Sequence, residues 1–196
     1  YGKLVVLYAG NKETQHSYIE IAKDKGYQVL LLDSPIIPHL IQKLESDNSG
    51  LTFVRVDSDH IDNLIKKEET AISKLSTEEQ ESLKTVVETI VPKQTYTVQL
   101  EALDSSAAPF IITQPEFMRR MKEMSQTGGG GMFGMGNFPE MYNLVVNTNS
   151  DLATSILNNE DKTVQENLVK QALDLAKLSQ NLLKGEALTA FVKRSF

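Results

Sequence analysis

Glycines at a spacing that could hold a nucleotide occur once in this chain, in the run Gly129-x-Gly131-x-x-Gly134. The run matches the dinucleotide-binding fingerprint, which needs a strand before it and a helix after it. Here a polar helix end precedes the run, and Asn137-Phe138-Pro139 follows it. These surroundings favour a flexible glycine-rich loop over a nucleotide site. A Gly-Lys-Ser/Thr phosphate loop is absent from the sequence.

Acidic residues and a histidine cluster once, in Asp57-Ser58-Asp59-His60-x-Asp62. The cluster lies where a predicted strand gives way to a helix, and Asp and Ser commonly cap a helix N-terminus there. Capping is therefore favoured over metal binding. His16 and His39 lie far apart in the sequence, and without cysteine they form no metal site. No nucleophile, base and orienting group occur together, so we predict no catalytic residue.

The most unusual pattern combines methionine with phenylalanine on one side of a predicted helix. Its members are Phe117, Met118, Met121 and Met124. The glycine-rich segment that follows carries Met132, Phe133 and Met135. The opposite face of the helix holds Arg119, Arg120, Lys122 and Glu123. Such a stripe is commonly core. Because methionine suits surfaces that accept varied apolar partners, we predict an adaptable, partly exposed contact surface instead.

A second apolar pattern occupies the last helices of the chain, and its apolar face is wider than one helix partner requires. Its members are Leu168, Ala172, Leu175, Leu182, Leu188, Phe191 and Val192. Two such helices from each of two chains would close a four-helix bundle. The alternative is packing against residues 141–157 within one chain.

Two kinds of organisation would position these residues. Residues 1–57 alternate strand and helix, which predicts a small three-stranded βαβαβ unit with a parallel sheet. Its second strand is predicted over Tyr27–Leu32, as a buried strand. A connecting helix is predicted over residues 58–75, and an α+β domain over residues 76–196. Ser76, followed three residues later by Glu79, is a capping-box pattern and predicts the start of the first helix of that domain. In that domain Tyr96–Leu103 and Ala108–Thr113 predict an antiparallel hairpin.

Composition excludes several classes of function. With 20 basic and 26 acidic residues among 196, the net charge of −6 argues against a nucleic-acid binder. The absence of cysteine excludes disulfides and thiol chemistry, and it fits the cytoplasm. No apolar run approaches the roughly 18 residues of a membrane span. The chain begins at Tyr1 and not at Met, which predicts a piece of a longer protein.

The chain resembles the C-terminal part of the HtpG family, the bacterial ninety-kilodalton heat-shock chaperones, over essentially all of its length. The resemblance rests on Lys3–Tyr8, residues 26–33, Pro109–Thr113, residues 117–122 and residues 144–151. It implies that residues 1–57 end a middle domain and that residues 76–196 form a homodimerisation domain. The final helices of two chains would then pair as a four-helix bundle.

The resemblance also implies where client proteins bind. The short amphipathic helix with Phe117, Met121 and Met124 would bind unfolded or partly folded proteins. A second client-facing helix matches Ile36–Leu44, with contact positions at His39 and Gln42, where bulkier residues are usual in the family.

ATP and Mg²⁺ would bind a domain of the full-length chaperone outside this chain, so this segment is expected to hold no cofactor and to hydrolyse no ATP. The residues alone leave one alternative, a small nucleotide-binding α/β enzyme built on residues 1–57. Its phosphate loop would follow the first strand in Tyr8-Ala9-Gly10-Asn11-Lys12, which offers one glycine and one lysine.

Overall fold

A computed structural model describes residues 2–65, 71–127 and 140–196, without the side chains of residues 62 and 124–127. The fold is α+β, and its contacts divide it into two compact units. Unit 1 consists of Tyr1–Lys67 and Thr113–Met141, and unit 2 of Glu68–Ile112 and Tyr142–Phe196. The chain thus returns to unit 1 after its first visit to unit 2. The predicted domain boundaries, at residues 57 and 76, stay a prediction.

Unit 1 is built on a three-stranded parallel sheet with β1 at its centre. Its strands are β1 (Leu4–Ala9), β2 (Leu30–Leu31) and β3 (Leu51–Arg55). Its helices are α1 (His16–Asp24), α2 (Ile37–Asp47), α3 (Ile61–Leu64) and α5 (Glu116–Thr127). The predicted three-stranded parallel sheet is therefore confirmed.

Local sequence signals explain where α1 and α2 begin and end. Gly26 follows α1 and has a φ of +82°. The Gly26 N–H donates to the Lys23 carbonyl, and the Tyr27 N–H donates to the Ala22 carbonyl. These two bonds are the Schellman ending that a glycine permits. Pro38 lies in the first turn of α2, where its missing N–H leaves no helical bond unmade. The helix then packs Ile41 against Tyr8 and Phe53 of the sheet.

Two predicted elements around unit 1 differ in the structure. The run Tyr27–Leu32 predicts a buried strand, but only the two residues of β2 pair with β1, and both are exposed. β2 lies at the edge of the sheet, so its apolar side chains are not covered on both sides. Within the described part of residues 58–75, only α3 is helical, and residues 71–75 are not.

Unit 2 holds a mixed sheet and the remaining helices. The strands are β4 (Tyr96–Glu101), β5 (Phe110–Thr113) and β6 (Tyr142–Asn147), in the order β4-β6-β5. The helices are α4 (Thr77–Ile90), α6 (Asp151–Leu157), α7 (Lys162–Ser179) and α8 (Gly185–Arg194). At the start of α4, Ser76 and Glu79 form the capping box that the sequence indicates.

The predicted hairpin between Tyr96–Leu103 and Ala108–Thr113 is wrong. β6 lies between the two strands and pairs in parallel with β4. Leu144, Val145 and Val146 are apolar on both faces of β6 and fully buried, which suits a central strand. β4 alternates buried and exposed residues and takes the edge. β6, which follows β5 by 28 residues in the chain, therefore takes the position beside β4 that the local pattern assigns to β5.

The core of unit 2 lies between its sheet and helices α4, α6 and α7. Leu83 and Val87 of α4 meet Val169 and Leu173 of α7 within one buried cluster. The apolar face of α7 that holds these residues is thus occupied inside the chain. The predicted packing of the last helices against residues 141–157 exists on this face, since Leu144 and Ile156 belong to the same cluster.

Candidate functional site

Helix α5 turns its apolar side to solvent and its charged side into unit 1. Phe117 is 70% exposed and Met121 37% exposed, whereas the side chain of Arg119 is only 3% exposed. A helix at the surface of a globular unit ordinarily does the reverse. Phe117 and Met121 are therefore surface residues and not core residues, which sets aside the more common interpretation of the stripe.

Arg119 is the centre of the buried charged side. Its Nη2 atom donates a hydrogen bond of 2.6 Å to the Tyr8 hydroxyl at the end of β1. Its Nη1 atom lies 2.7 Å from both carboxylate oxygens of Glu123, and Nη2 also pairs with Glu116. The guanidinium lies 5.7 Å from the centre of the Tyr8 ring. The cation is thus taken out of water and compensated by charged and aromatic partners together.

Arg120 joins the same helix to α2 and β3. Its Nη1 atom lies 2.8 Å from Glu45 Oε2, and its Nη2 atom donates to the Phe53 carbonyl at 2.7 Å. Glu45 Oε1 accepts from the Phe53 amide at 2.7 Å. β3 is an edge strand, so an ion pair between two helices caps its backbone at Phe53 where another strand would otherwise bind.

Arg55 supplies a third link to α5. Its guanidinium forms two hydrogen bonds to the Asp57 carboxylate, of 2.6 and 2.9 Å, and a third to Glu123 at 3.0 Å. Bidentate pairing fixes the plane of the guanidinium. Because Glu123 also binds Arg119, the arginine at the end of β3 is joined through one carboxylate to the centre of the α5 network.

The network sets the charge states of its members. Burial alone would lower the pKa of Arg119, but the Glu116 and Glu123 carboxylates and Tyr8 raise it overall, so the guanidinium stays charged. Burial would likewise raise the pKa of Glu45, but hydrogen bonds from Arg120 and the Phe53 amide outweigh it and lower that pKa. Burial raises the pKa of Tyr8, which keeps its hydroxyl neutral.

The other predicted client-contact residues fall into three groups. Met118 is half-buried on α5. His39 and Gln42 are exposed on α2, in the same compact unit as Phe117. The remainder lie outside the described residues: the side chain of Met124, and Met132, Phe133 and Met135.

The predicted interface residues divide between the chain's own core and its surface. Ala172 and Phe191 are buried within the chain, and Leu168 and Leu182 pack against the core of unit 2. Leu188 is half-buried. Leu175 and Val192 are 51% and 43% exposed. Val164 and Leu178, which are also exposed, extend the apolar surface of α7.

The loop after β1 is filled by the chain's own side chains. Gln15 Oε1 accepts from the amides of Gly10 and Asn11 at 2.7 and 2.9 Å. Asn11 Oδ1 accepts from the amides of Glu13 and Thr14, each at 2.9 Å. A phosphate would need such amides as donors. Their occupation argues against the alternative of a nucleotide-binding enzyme.

The acidic cluster at the end of β3 serves local structure. Asp57 pairs with Arg55, and Ser58 donates to the Arg55 carbonyl. Asp59 accepts from the His60 amide and from Asn63. Among the described residues, no group of three or more His, Asp or Glu side chains is placed to hold a metal ion. In the same part of the chain, no helix is both long and apolar enough to cross a bilayer.

Sequence reasoning missed the partners of the charged side of α5. The spacing of Glu116, Arg119 and Glu123 indicates ion pairs along one helix face, which ordinarily lie in solvent. Nothing in the spacing indicates that Tyr8 or Glu45, about 75 to 111 positions away, would complete them. Only the return of residues 113–141 to unit 1 brings these groups together.

Comparison with known proteins finds relatives that align with 90% to 99% of this chain. No family model matches it. It is 42% identical to the Chaperone protein HtpG of Porphyromonas gingivalis strain ATCC 33277, over 90% of this chain and 26% of that protein. It is 34% identical to the Bacteroides thetaiotaomicron protein of the same name, over 99% of this chain and 38% of that protein.

A third relative, the Chaperone protein htpG of Bacteroides fragilis strain 638R, is 33% identical over 98% of this chain and 38% of its own length. The chain therefore spans between 26% and 38% of the length of these relatives.

Proposed function

Since the chain belongs to the HtpG chaperone family, we propose that it is a chaperone segment that binds non-native proteins through α5 and pairs with a second copy through α7 and α8. The orientation of α5 carries the client-binding part of this proposal. An apolar helix face that is held in solvent, while the arginines of the opposite face bind the unit, does not stabilise its own unit.

The composition of the exposed face suits a partner without a fixed shape. Phe117 offers a large apolar ring, and Met121 a flexible, polarisable chain that adapts to different neighbours. Unfolded segments present scattered apolar groups, so they bind through area and adaptability more than through one pocket. His39 and Gln42, exposed on α2 of the same unit, would add polar contacts beside this face.

Replacing Phe117 and Met121 together by serine tests client binding. The probe is reduced, carboxymethylated α-lactalbumin carrying fluorescein, and its anisotropy is titrated with the 196-residue chain. We expect binding to weaken about tenfold, because burial of two apolar side chains is lost. The matched control is Ile72→Ser, which removes another exposed apolar side chain, 88% exposed in unit 2.

Affinity equal to the parent in the double variant would overturn the client-binding proposal. A large fall in thermal stability would do so as well, because it would show that the two side chains are structural. Retained affinity in Ile72→Ser would show that the loss is specific to α5.

Self-association is proposed from the surface of α7 and α8 that the chain's own core leaves uncovered. Leu175 and Val192 are exposed there, while the neighbouring Leu173 is buried in unit 2. Two copies would cover these side chains by closing a four-helix bundle. Sedimentation at micromolar concentration tests this. We expect the parent chain to be a dimer and the double variant Leu175→Ser with Val192→Ser to be a monomer. The control variant Ile72→Ser should remain a dimer. A monomeric parent would overturn the proposal.

Pairing would hold two copies of any attached domain at high effective concentration for each other. In a dimeric ATP-driven chaperone, this would bring the two ATP-binding domains together. The ATP and Mg²⁺ of the full-length protein are proposed to bind outside this chain, and the protein is proposed to work in the cytoplasm. A calorimetric titration of the chain with ATP and NAD checks the first point. Binding tighter than about millimolar, near −4 kcal/mol, would favour the nucleotide-binding alternative instead.

A further inference from the structure

We propose that Arg119 is a positioning residue that sets the rotation of α5, and that it keeps the Phe117 and Met121 face turned to solvent. The inference rests on the proposed client-binding function. It adds that the buried charge of Arg119 keeps this face accessible to a client, although Arg119 itself would not touch the client.

The contacts around Arg119 restrict rotation about the helix axis. On one side its guanidinium bonds to the Tyr8 hydroxyl of β1, at 2.6 Å, and stacks near the Tyr8 ring. On the other side it holds Glu123, which also accepts from Arg55 of β3 at 3.0 Å. A helix joined to two strands through one buried side chain cannot roll without breaking several charged hydrogen bonds at once.

A second anchor lies one residue further along α5. Arg120 reaches Glu45 of α2 and the Phe53 carbonyl of β3. Glu116 accepts from Arg120 Nε at 2.6 Å and also pairs with Arg119, so it joins the two anchors. Arg119 is nevertheless the deciding residue, because it is almost fully buried while Arg120 keeps a quarter of its side chain in solvent.

The hydrophobic effect opposes the observed orientation. Left to its apolar pattern, α5 would turn Phe117 and Met121 toward the unit and its charges toward water. A charged guanidinium that is 3% exposed is tolerated only because its partners are in place. If Arg119 is replaced by an apolar residue, the charged hydrogen bonds that hold the charged face of α5 against the unit are lost. We then expect the helix to roll until Phe117 and Met121 face the unit.

The absence of cysteine makes the rotation measurable. In the 196-residue chain, Phe117→Cys creates a single attachment point for bimane, and its fluorescence is quenched with acrylamide, which carries no charge. In the Arg119→Leu background we expect the quenching constant to fall about twofold, because a side chain that is 70% exposed becomes half-buried. Lys84→Leu, an exposed cation on α4, is the matched control and should leave quenching unchanged.

Two milder variants keep the test decisive if Arg119→Leu fails to fold. Tyr8→Phe removes one hydroxyl partner and should lower quenching in the same direction. Arg119→Lys keeps the charge without the planar fork, and it should restore part of the parental value. Quenching equal to the parent in every folded variant at these two positions would overturn the inference.

Client binding separates this inference from the proposed function. Arg119→Leu, with Phe117 and Met121 intact, should weaken binding of the carboxymethylated α-lactalbumin probe severalfold while leaving the sedimentation of the chain unchanged. Unchanged affinity together with lowered quenching would reject the client-binding function and retain the role of Arg119 in orienting α5.

Discussion

The Arg119 guanidinium lies 2.6 Å from the Tyr8 hydroxyl, and this hydrogen bond joins residues 111 positions apart in the chain. Tyr8 belongs to the small core of unit 1, where its ring meets that of Phe53 edge-on with 6.5 Å between centres. The charged side of α5 is thus attached to the packed core of the sheet. As a consequence, the surface that α5 shows to solvent depends on residues near the start of the chain.

Tyr8→Phe should lower the stability of unit 1 by about 1–2 kcal/mol. The ring still packs against Phe53, but Arg119 loses a hydrogen-bond acceptor in a buried place. Urea unfolding followed by circular dichroism gives the change, and hydrogen exchange of the β1 peptides assigns it to this unit. A variant as stable as its parent would show that water replaces the hydroxyl without cost.

A double-mutant cycle on Glu45 and Arg120 should give a coupling energy of about 1–2 kcal/mol. The pair is only about a quarter exposed, and each partner also binds the backbone of Phe53. The Lys43–Asp47 pair, which lies with Glu45 on α2, is a suitable reference because its side chains are mostly exposed. Its cycle should give about 0.5 kcal/mol or less. Equal coupling in the two cycles would contradict the capping role of the Glu45–Arg120 pair.

Stability above pH 10 should fall less in Tyr8→Phe than in the parent. Burial raises the pKa of Tyr8 above its ordinary value of 10.0, with Arg119 opposing the rise. The unfolded chain can then lose this proton at a pH where the folded chain keeps it, so stability present below pH 10 is lost as the pH rises toward the folded pKa. Urea midpoints compared between pH 9 and 11 measure the difference. Parallel curves for the two proteins would contradict the prediction.

Asn149→Ala should destabilise unit 2 by about 2–3 kcal/mol. Oδ1 of the buried Asn149 side chain accepts from the backbone N–H of Lys74 at 2.7 Å, and Nδ2 donates to the backbone carbonyls of Leu103 and Ile72. Loss of this side chain leaves three backbone groups without their partner. Thermal unfolding by circular dichroism measures the effect. Asn159→Ala, which removes an exposed turn contact, should change stability by about 0.5 kcal/mol or less.

Local patterns predicted much of the fold. Alternating strand and helix signals indicated the parallel sheet of unit 1, and Ser76 with Glu79 marked the start of α4. These features depend on residues a few positions apart. The order β4-β6-β5 depends on the pairing of β4 with β6, in which Tyr96 lies opposite Tyr142, 46 positions away, and there the local hairpin pattern was misleading.

The candidate site shows the same division. The sequence by itself determined that α5 has one apolar and one charged face, because side chains three and four residues apart share a side of any helix. Which face is buried was decided only by the tertiary structure. Tyr8 accepts a hydrogen bond from Arg119, and Glu45 pairs with Arg120. Arg55 binds Glu123, the carboxylate that pairs with Arg119. These partners come from segments that only the folded chain brings together.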